Sequence, residues 1–185
     1  MAVTRSWQLT YEDLQGFPDD GKRHEIIEGE HYVTPAPGVK HQVVVTNLAR
    51  LLGSFVVRER QGRVLVAPTD VVASATDVVQ PDVVWISPGR AGIATEENLR
   101  GVPDVVVEVL SESTRKTDEI IKRKLYERYG ALEYWIVDPE LERVKIYRRA
   151  GEGFAPAVEV AAEAGESLTS PLLPGLSVAL AELFA

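Results

Sequence analysis

An α/β fold, with a central mixed sheet between helices, is predicted by three features of this sequence. Residues 40–60 place Val44, Leu48, Leu51, Leu52, Phe55 and Val56 at helical spacing. A second helical stretch opens at Ser113 or Thr114, reaches Tyr129 and stops at Gly130. Around these lie short runs rich in β-branched residues, of which PDVVVEVLS (103–111) is the most strand-like. Helices separated by strands in this order pack as layers on a sheet. The 185 residues suit a single domain, 1–185.

The remaining elements follow in chain order. Thr10-Tyr-Glu-Asp13 is a capping box for a short helix ending near Gly16 and Pro18. RHEIIEGEHYVT (23–34) forms an N-terminal β-hairpin turning at Glu28-Gly29-Glu30. Pro35, Pro37 and Gly38 then break the chain before the long helix, and Gly62 stops that helix. RVLVAP (63–68) and DVVAS (70–74) are expected to pair, and VVQPDVVWI (78–86) to form one strand. Residues 87–102 are a loop with one helical turn near Glu96. EYWIVDP (133–139) and RVKIYRR (143–149) pair through Asp138-Pro139, with a further strand at 154–160 and a last helix at 177–184.

Composition excludes several classes of function. With 45% apolar residues the chain can bury a core, and no apolar run approaches the roughly 18 residues of a membrane span. The N-terminus lacks the apolar core of an export signal. Zero cysteines rule out disulfides, cysteine-ligated zinc, iron–sulfur clusters and thiol nucleophiles, and fit a cytoplasmic protein. The three histidines show no HxH or HExxH spacing, and no Gly-rich phosphate loop, dinucleotide fingerprint or GxSxG elbow occurs. A net charge of -8 argues against a general nucleic-acid coat, yet Arg115, Lys116, Lys122, Arg123, Lys124 and Arg128 form a local basic run.

Two acids stand out against apolar surroundings. Glu108 lies inside VVVEVL, where alternation puts Val106, Glu108 and Leu110 on one face and Val105, Val107 and Val109 on the other. Both faces are apolar, so the strand is covered on both sides. A carboxylate there costs several kcal/mol unless it is paired, protonated or on a metal. A buried salt bridge and a functional site explain it equally well. Asp82 opens VVWI in the same way, whereas Asp104 reads as a turn residue. Two acids on adjacent central strands can share one hard cation, since Mg²⁺ needs only one or two carboxylates plus water and phosphate.

Asp82 in QPDVV, followed by Glu108 in VVVEVLS, resembles the PD-(D/E)xK nuclease superfamily, although the usual lysine position is occupied by Leu110. The segments HEIIEGE, the Pro-rich loop before His41, VVQPDVVWIS and GVPDVVVEVLSEST resemble a bacterial family of restriction-endonuclease type within it. Asp118, Lys122, Tyr126, EYWIVDP and SPLLPGLSVALAELF extend the match over nearly the whole chain. The resemblance implies a restriction-endonuclease-like fold, Mg²⁺ (or Mn²⁺) on Asp82 and Glu108, a lysine moved to the following helix as Lys122, and DNA as substrate. It also brings in Glu25 and His41 as supporting residues.

The stripe Ile121, Leu125, Tyr129 and Leu132 puts Lys122 at the border of the helix's buried face, where its stem can reach inward. Lys116, Arg123 and Lys124 are the candidate DNA contacts, with Lys22, Arg23 and Lys40 steering the approach. Double-strand cleavage needs two active sites, which implies a homodimer. The competing readings are a non-catalytic DNA- or protein-binding module on a nuclease fold, favoured by the acidity and by Leu110, and a hydrolase of a small phosphorylated substrate.

Overall fold

The computed structural model describes residues 7–185, so the first residues of the stretch expected to lack an export signal lie outside it. Helix α1 (Tyr11–Leu14) precedes the hairpin β1 (Arg23–Ile27) and β2 (Glu30–Thr34). Helix α2 (Val39–Glu59) leads to β3 (Arg63–Val66), β4 (Val71–Ser74), β5 (Asp77–Val79) and β6 (Val83–Ile86). A 3₁₀ turn (Pro88–Ile93) and β7 (Leu99–Arg100) come before β8 (Val105–Val109). Helix α3 covers 115–128, π-helical over Thr117–Lys122 and α-helical over Arg123–Arg128. Strands β9 (Glu133–Asp138), β10 (Arg143–Ala150), β11 (Gly153–Phe154), β12 (Val158–Ala161), β13 (Ser167–Leu168) and β14 (Val178–Ala179) follow, and α4 (Leu180–Leu183) ends the chain's helices.

The central sheet has the order β11-β10-β9-β8-β6-β3, with β12 also on β10. Its β8–β9 pair is parallel and its other pairs are antiparallel, giving the expected mixed sheet. A second sheet runs β2-β1-β5-β4-β7. Val105, Val107 and Val109 of β8 join Val44, Leu48, Leu52, Phe55 and Val56 of α2 in one core. Val106 and Leu110 join Leu125 and Tyr126 of α3 and Tyr134 and Ile136 of β9 in the other. Both faces of β8 are therefore covered, and strand parity turns Glu108 toward α3. Among the described residues no helix is long and apolar enough to cross a membrane.

Several expectations are corrected, and proline accounts for three of them. Residues 63–68 and 70–74 do not pair: β3 joins β6 in the central sheet, while β4 lies between β5 and β7 in the second. The strand expected over 78–86 divides into β5 and β6, one in each sheet. The strand at 154–160 divides into β11 and β12. Pro68, Pro81 and Pro156 sit in the three gaps, where the missing N–H interrupts a ladder. The 87–102 loop has its helical turn at Pro88–Ile93, ahead of Glu96. The last helix is shorter than 177–184 because Val178–Ala179 pairs with β13. Thr114 stands at the head of α3 as expected: its carbonyl accepts the Asp118 N–H at 2.9 Å, and its Oγ1 accepts the Ser111 N–H at 3.3 Å while Ser111 Oγ accepts the Thr114 N–H at 3.3 Å.

The link from α2 to β3 is tightly held. Arg60 caps α2 with φ 55°, the Gln61 carbonyl accepts Trp85 Nε1–H at 2.6 Å, and Gly62 has φ 97°. A Cβ on Gly62 would lie 2.0 Å from the Ile86 carbonyl oxygen. Gly62→Ala should therefore cost at least about 2 kcal/mol by urea unfolding, through both the clash and the positive φ.

Candidate active site

The sites named from sequence meet at the junction of the two sheets with α3. The β6–β8 register pairs Val83 with Val107, and continuing it sets Asp82 opposite Glu108. Both acids are buried, at 2% and 1% exposure, and both line one cavity of about 510 Å³. Asp82 Oδ1 accepts Arg23 Nη2–H at 3.0 Å. Its Oδ2 lies 3.1 Å from His41 Nε2 and accepts the Val109 N–H at 2.8 Å. Glu108 Oε1 accepts Lys122 Nζ–H at 3.0 Å and the Tyr126 hydroxyl at 2.7 Å.

Lys122 is 3% exposed and binds a second carboxylate, Glu25 Oε1, at 2.8 Å. Asp118 Oδ1 lies 3.7 Å from the same ammonium. The helix stripe expected from sequence is shifted: Asp118, Lys122, Leu125 and Tyr126 are buried, whereas Ile121 and Tyr129 are only half-buried. A π turn takes about one more residue than an α turn, which rotates Lys122 from the border of the inward face into it. Tyr134 in β9 donates its hydroxyl to the Asp118 carbonyl at 3.1 Å and helps hold this turn.

The two explanations open for Glu108 thus coincide: it is half of a buried ion pair, and that pair lies in a cavity beside a second acid. Arg23 is a partner of Asp82 and not a steering charge. Lys22 pairs with Asp20 and Lys40 with Glu140. Arg123 lies 3.8 Å from Glu127 and over the Tyr147 ring. Lys124 lines a separate cavity with Glu28, Asp77 and Arg128. Lys116 is exposed and, like Arg123 and Lys124, does not line the acid cavity. The sequence marks Arg23 and Tyr126 but not their contacts with Asp82 and Glu108, although Arg23 shares a strand face with Glu25, and Asp118 and Tyr126 flank Lys122 at helical spacing.

Electrostatics follow from burial. Burial pushes Glu108 well above the usual carboxylate range; Lys122 opposes this, and Asp118, Asp82 and Glu25 add to it. Burial also raises Asp118 to about 6, against Lys122 and Thr114. Asp82 is likewise penalised by burial, but His41, Arg23 and the Val109 N–H outweigh this and hold it low. Burial works against charge on Lys122, yet Glu108, Glu25 and Asp118 raise it above an ordinary lysine.

Four buried carboxylates thus face two fixed cations, Arg23 and Lys122, and the surplus negative charge matches a divalent ion. The donors are hard oxygens, suited to Mg²⁺ or Mn²⁺. Asp118 Oδ1 is a buried acceptor with no hydrogen-bond donor among the described residues. Three acid or histidine side chains do not converge at ligand spacing among those residues, so water and phosphate would complete the shell around Asp82 and Glu108.

Two predictions follow from this charge balance. Asp118 has a folded pKa above its ordinary 3.8, so its ionisation destabilises the fold as pH rises from about 4 to about 6. Asp118→Asn should raise stability at pH 7–8 by up to about 3 kcal/mol, with the gain shrinking toward pH 4 in denaturation curves. Lys122→Met strands Glu25, Glu108 and Asp118 and should cost roughly 3–5 kcal/mol at pH 8. At pH 5 the cost should be smaller, because Asp118 and Glu108 then take up protons.

With this geometry in view, the likenesses to known proteins are informative. A solved "putative nuclease belonging to DUF820" from Anabaena variabilis has the same fold, with a TM-score of 0.79 and 19% identity, covering 95% of this chain and 97% of that one. No curated protein matches the chain. Residues 10–181 match the model of the Uma2 family, described as "Putative restriction endonuclease". That match takes in both sheets, the acid cavity and α3, and the chain belongs to the Uma2 family.

Proposed function

We propose that this protein is a divalent-metal-dependent endonuclease that hydrolyses DNA phosphodiester bonds. The observation that carries the reading is the placement of Lys122 Nζ at 3.0 Å from Glu108, with Glu108 in register beside Asp82 in one cavity. Asp82 and Glu108 would hold Mg²⁺ or Mn²⁺. Bound there, the ion supplies a Lewis acid for a phosphate oxygen and lowers the pKa of its water.

The chain's own groups do the rest. Arg23 and His41 position the Asp82 carboxylate, and Tyr126 positions that of Glu108. Lys122 sets a compact positive charge where negative charge grows on the phosphate oxygens. Glu25 holds its ammonium in place from β1 of the second sheet. In the reaction a water molecule gives up a proton to solvent as its oxygen bonds to phosphorus, the ester P–O bond breaks, and the leaving oxygen takes up a proton from solvent. Lys116, exposed near the α3 end of the cavity, is the basic side chain assigned to the DNA backbone, and cutting both strands would use a homodimer.

The rival reading, a binding module, is favoured by one observation: protein donors already occupy Asp82 and Glu108. Plasmid DNA incubated with Mg²⁺ or Mn²⁺ decides between them. Cleavage should require the metal, stop with EDTA, and fall by at least about 100-fold in Asp82→Asn and Glu108→Gln. DNA that is bound but not cut under every metal condition would replace the enzyme by the module, and turnover of small phosphoesters alone would replace DNA as the substrate.

A further inference from the structure

Arg60 and Arg63 stand apart from the other arginines of the chain. Among the described residues, nine arginines have a carboxylate oxygen within 4.0 Å. Arg100 lies over the Tyr11 ring, and Arg149 donates to backbone carbonyls and lies over Phe154. Arg60 and Arg63 have no side-chain partner of these kinds, and both line a second cavity of about 380 Å³. The rest of its wall is largely apolar, with Val57, Ile86, Ala91 and Ala94, and holds no carboxylate. Val57 is 77% exposed at the rim.

The frame carrying the two guanidinium groups is rigid. Trp85 holds the Gln61 carbonyl, Gly62 abuts the Ile86 carbonyl, and Arg63 pairs with Ile86 in the β3–β6 ladder. Arg60 occupies a left-handed position, φ 55°, at a helix C-terminus where glycine is the easier residue. The cavity lies at the opposite end of α2 from the acid cavity, about 30 Å away along a 21-residue helix.

We propose that this cavity binds a small organic anion, its apolar body against Val57, Ala91 and Ala94 and its phosphate or carboxylate head on Arg60 and Arg63. A slot of this size, apolar in its body and lined by two exposed arginines, has the build of a small-molecule site. Guanidinium forks match both kinds of head group. The site stands independently of the nuclease reading, since it shares no residue with the acid cavity.

Calorimetric titration with phenyl phosphate and with benzoate tests this, with phenol and inorganic phosphate as controls. At least one of the two anions should bind at least about tenfold tighter than either control, and the better of the two identifies the head group. Arg60→Gly should weaken that binding by at least about tenfold while keeping or raising Tm, because glycine relieves the positive φ. Arg63→Ala should weaken it as well, and its fold can be checked by circular dichroism. Binding of neither anion more tightly than the controls, or unchanged binding by both variants, would overturn the proposal. Displacement of the probe by a short DNA duplex, with equal loss of DNA affinity in Arg60→Gly, would overturn it in favour of a nucleic-acid contact.

Discussion

The buried ammonium of Lys122 is the point on which the rest of the structure depends. It ties Glu25 on β1 to Glu108 on β8 and lies close to Asp118 one turn earlier in α3. These residues belong to the second sheet, the central sheet and the helix. Glu25 also accepts the Gln80 N–H at 2.7 Å, where the chain passes from one sheet to the other. An ion pair removed from water gains little net stability, but losing one partner leaves bare charge behind. The cation therefore holds the hairpin, the central strand and the helix in one relative position, and the same position brings the acids of the cavity together.

The π turn in α3 is the backbone feature that makes this possible. A regular helix with the stripe Ile121, Leu125 and Tyr129 facing inward would leave Lys122 at the edge. The extra residue per turn puts Asp118 and Lys122 inside, and Tyr134 from β9 supports the turn through the Asp118 carbonyl. Irregular helical turns of this kind recur at functional sites because they trade regular hydrogen bonding for side-chain placement. The cluster remains short of positive charge. Burial raises Glu108 and Asp118, the neighbouring acids add to it, and the shortage of cations to offset them is the electrostatic argument for a divalent ion.

Helix α2 separates two regions of opposite character. Its first turn supplies His41 to the acid cavity, and the cap at its C-terminus supplies Arg60 to the apolar cavity. The helix is long enough to cross the domain, and its buried face packs against β8 and β6 throughout. A substitution at either end can therefore act on one cavity without altering the lining of the other, since the two share no residue and lie at opposite ends of the helix.

Much of this was legible in the sequence. Periodicity placed α2 within a residue at each end, parity placed both faces of β8 in apolar cores, and the isolation of Asp82 and Glu108 among apolar neighbours marked them as a pair. These are local signals: they depend on spacing along one strand or helix, which burial imprints on residue choice. Which sheet each strand enters was not local. Runs with the same composition, such as 78–79 and 83–86, fall into different sheets, and the prolines that mark the crossings do not say where the chain goes next. The partners of the charges were likewise beyond reach. Arg23 and Glu25 meet Asp82 and Lys122 across 59 and 97 residues of chain, and only tertiary packing brings such distant groups within hydrogen-bond distance. The chemical identities of the site belong to the sequence. Their convergence belongs to the fold, because a buried charge takes its partner from whatever the packing sets beside it.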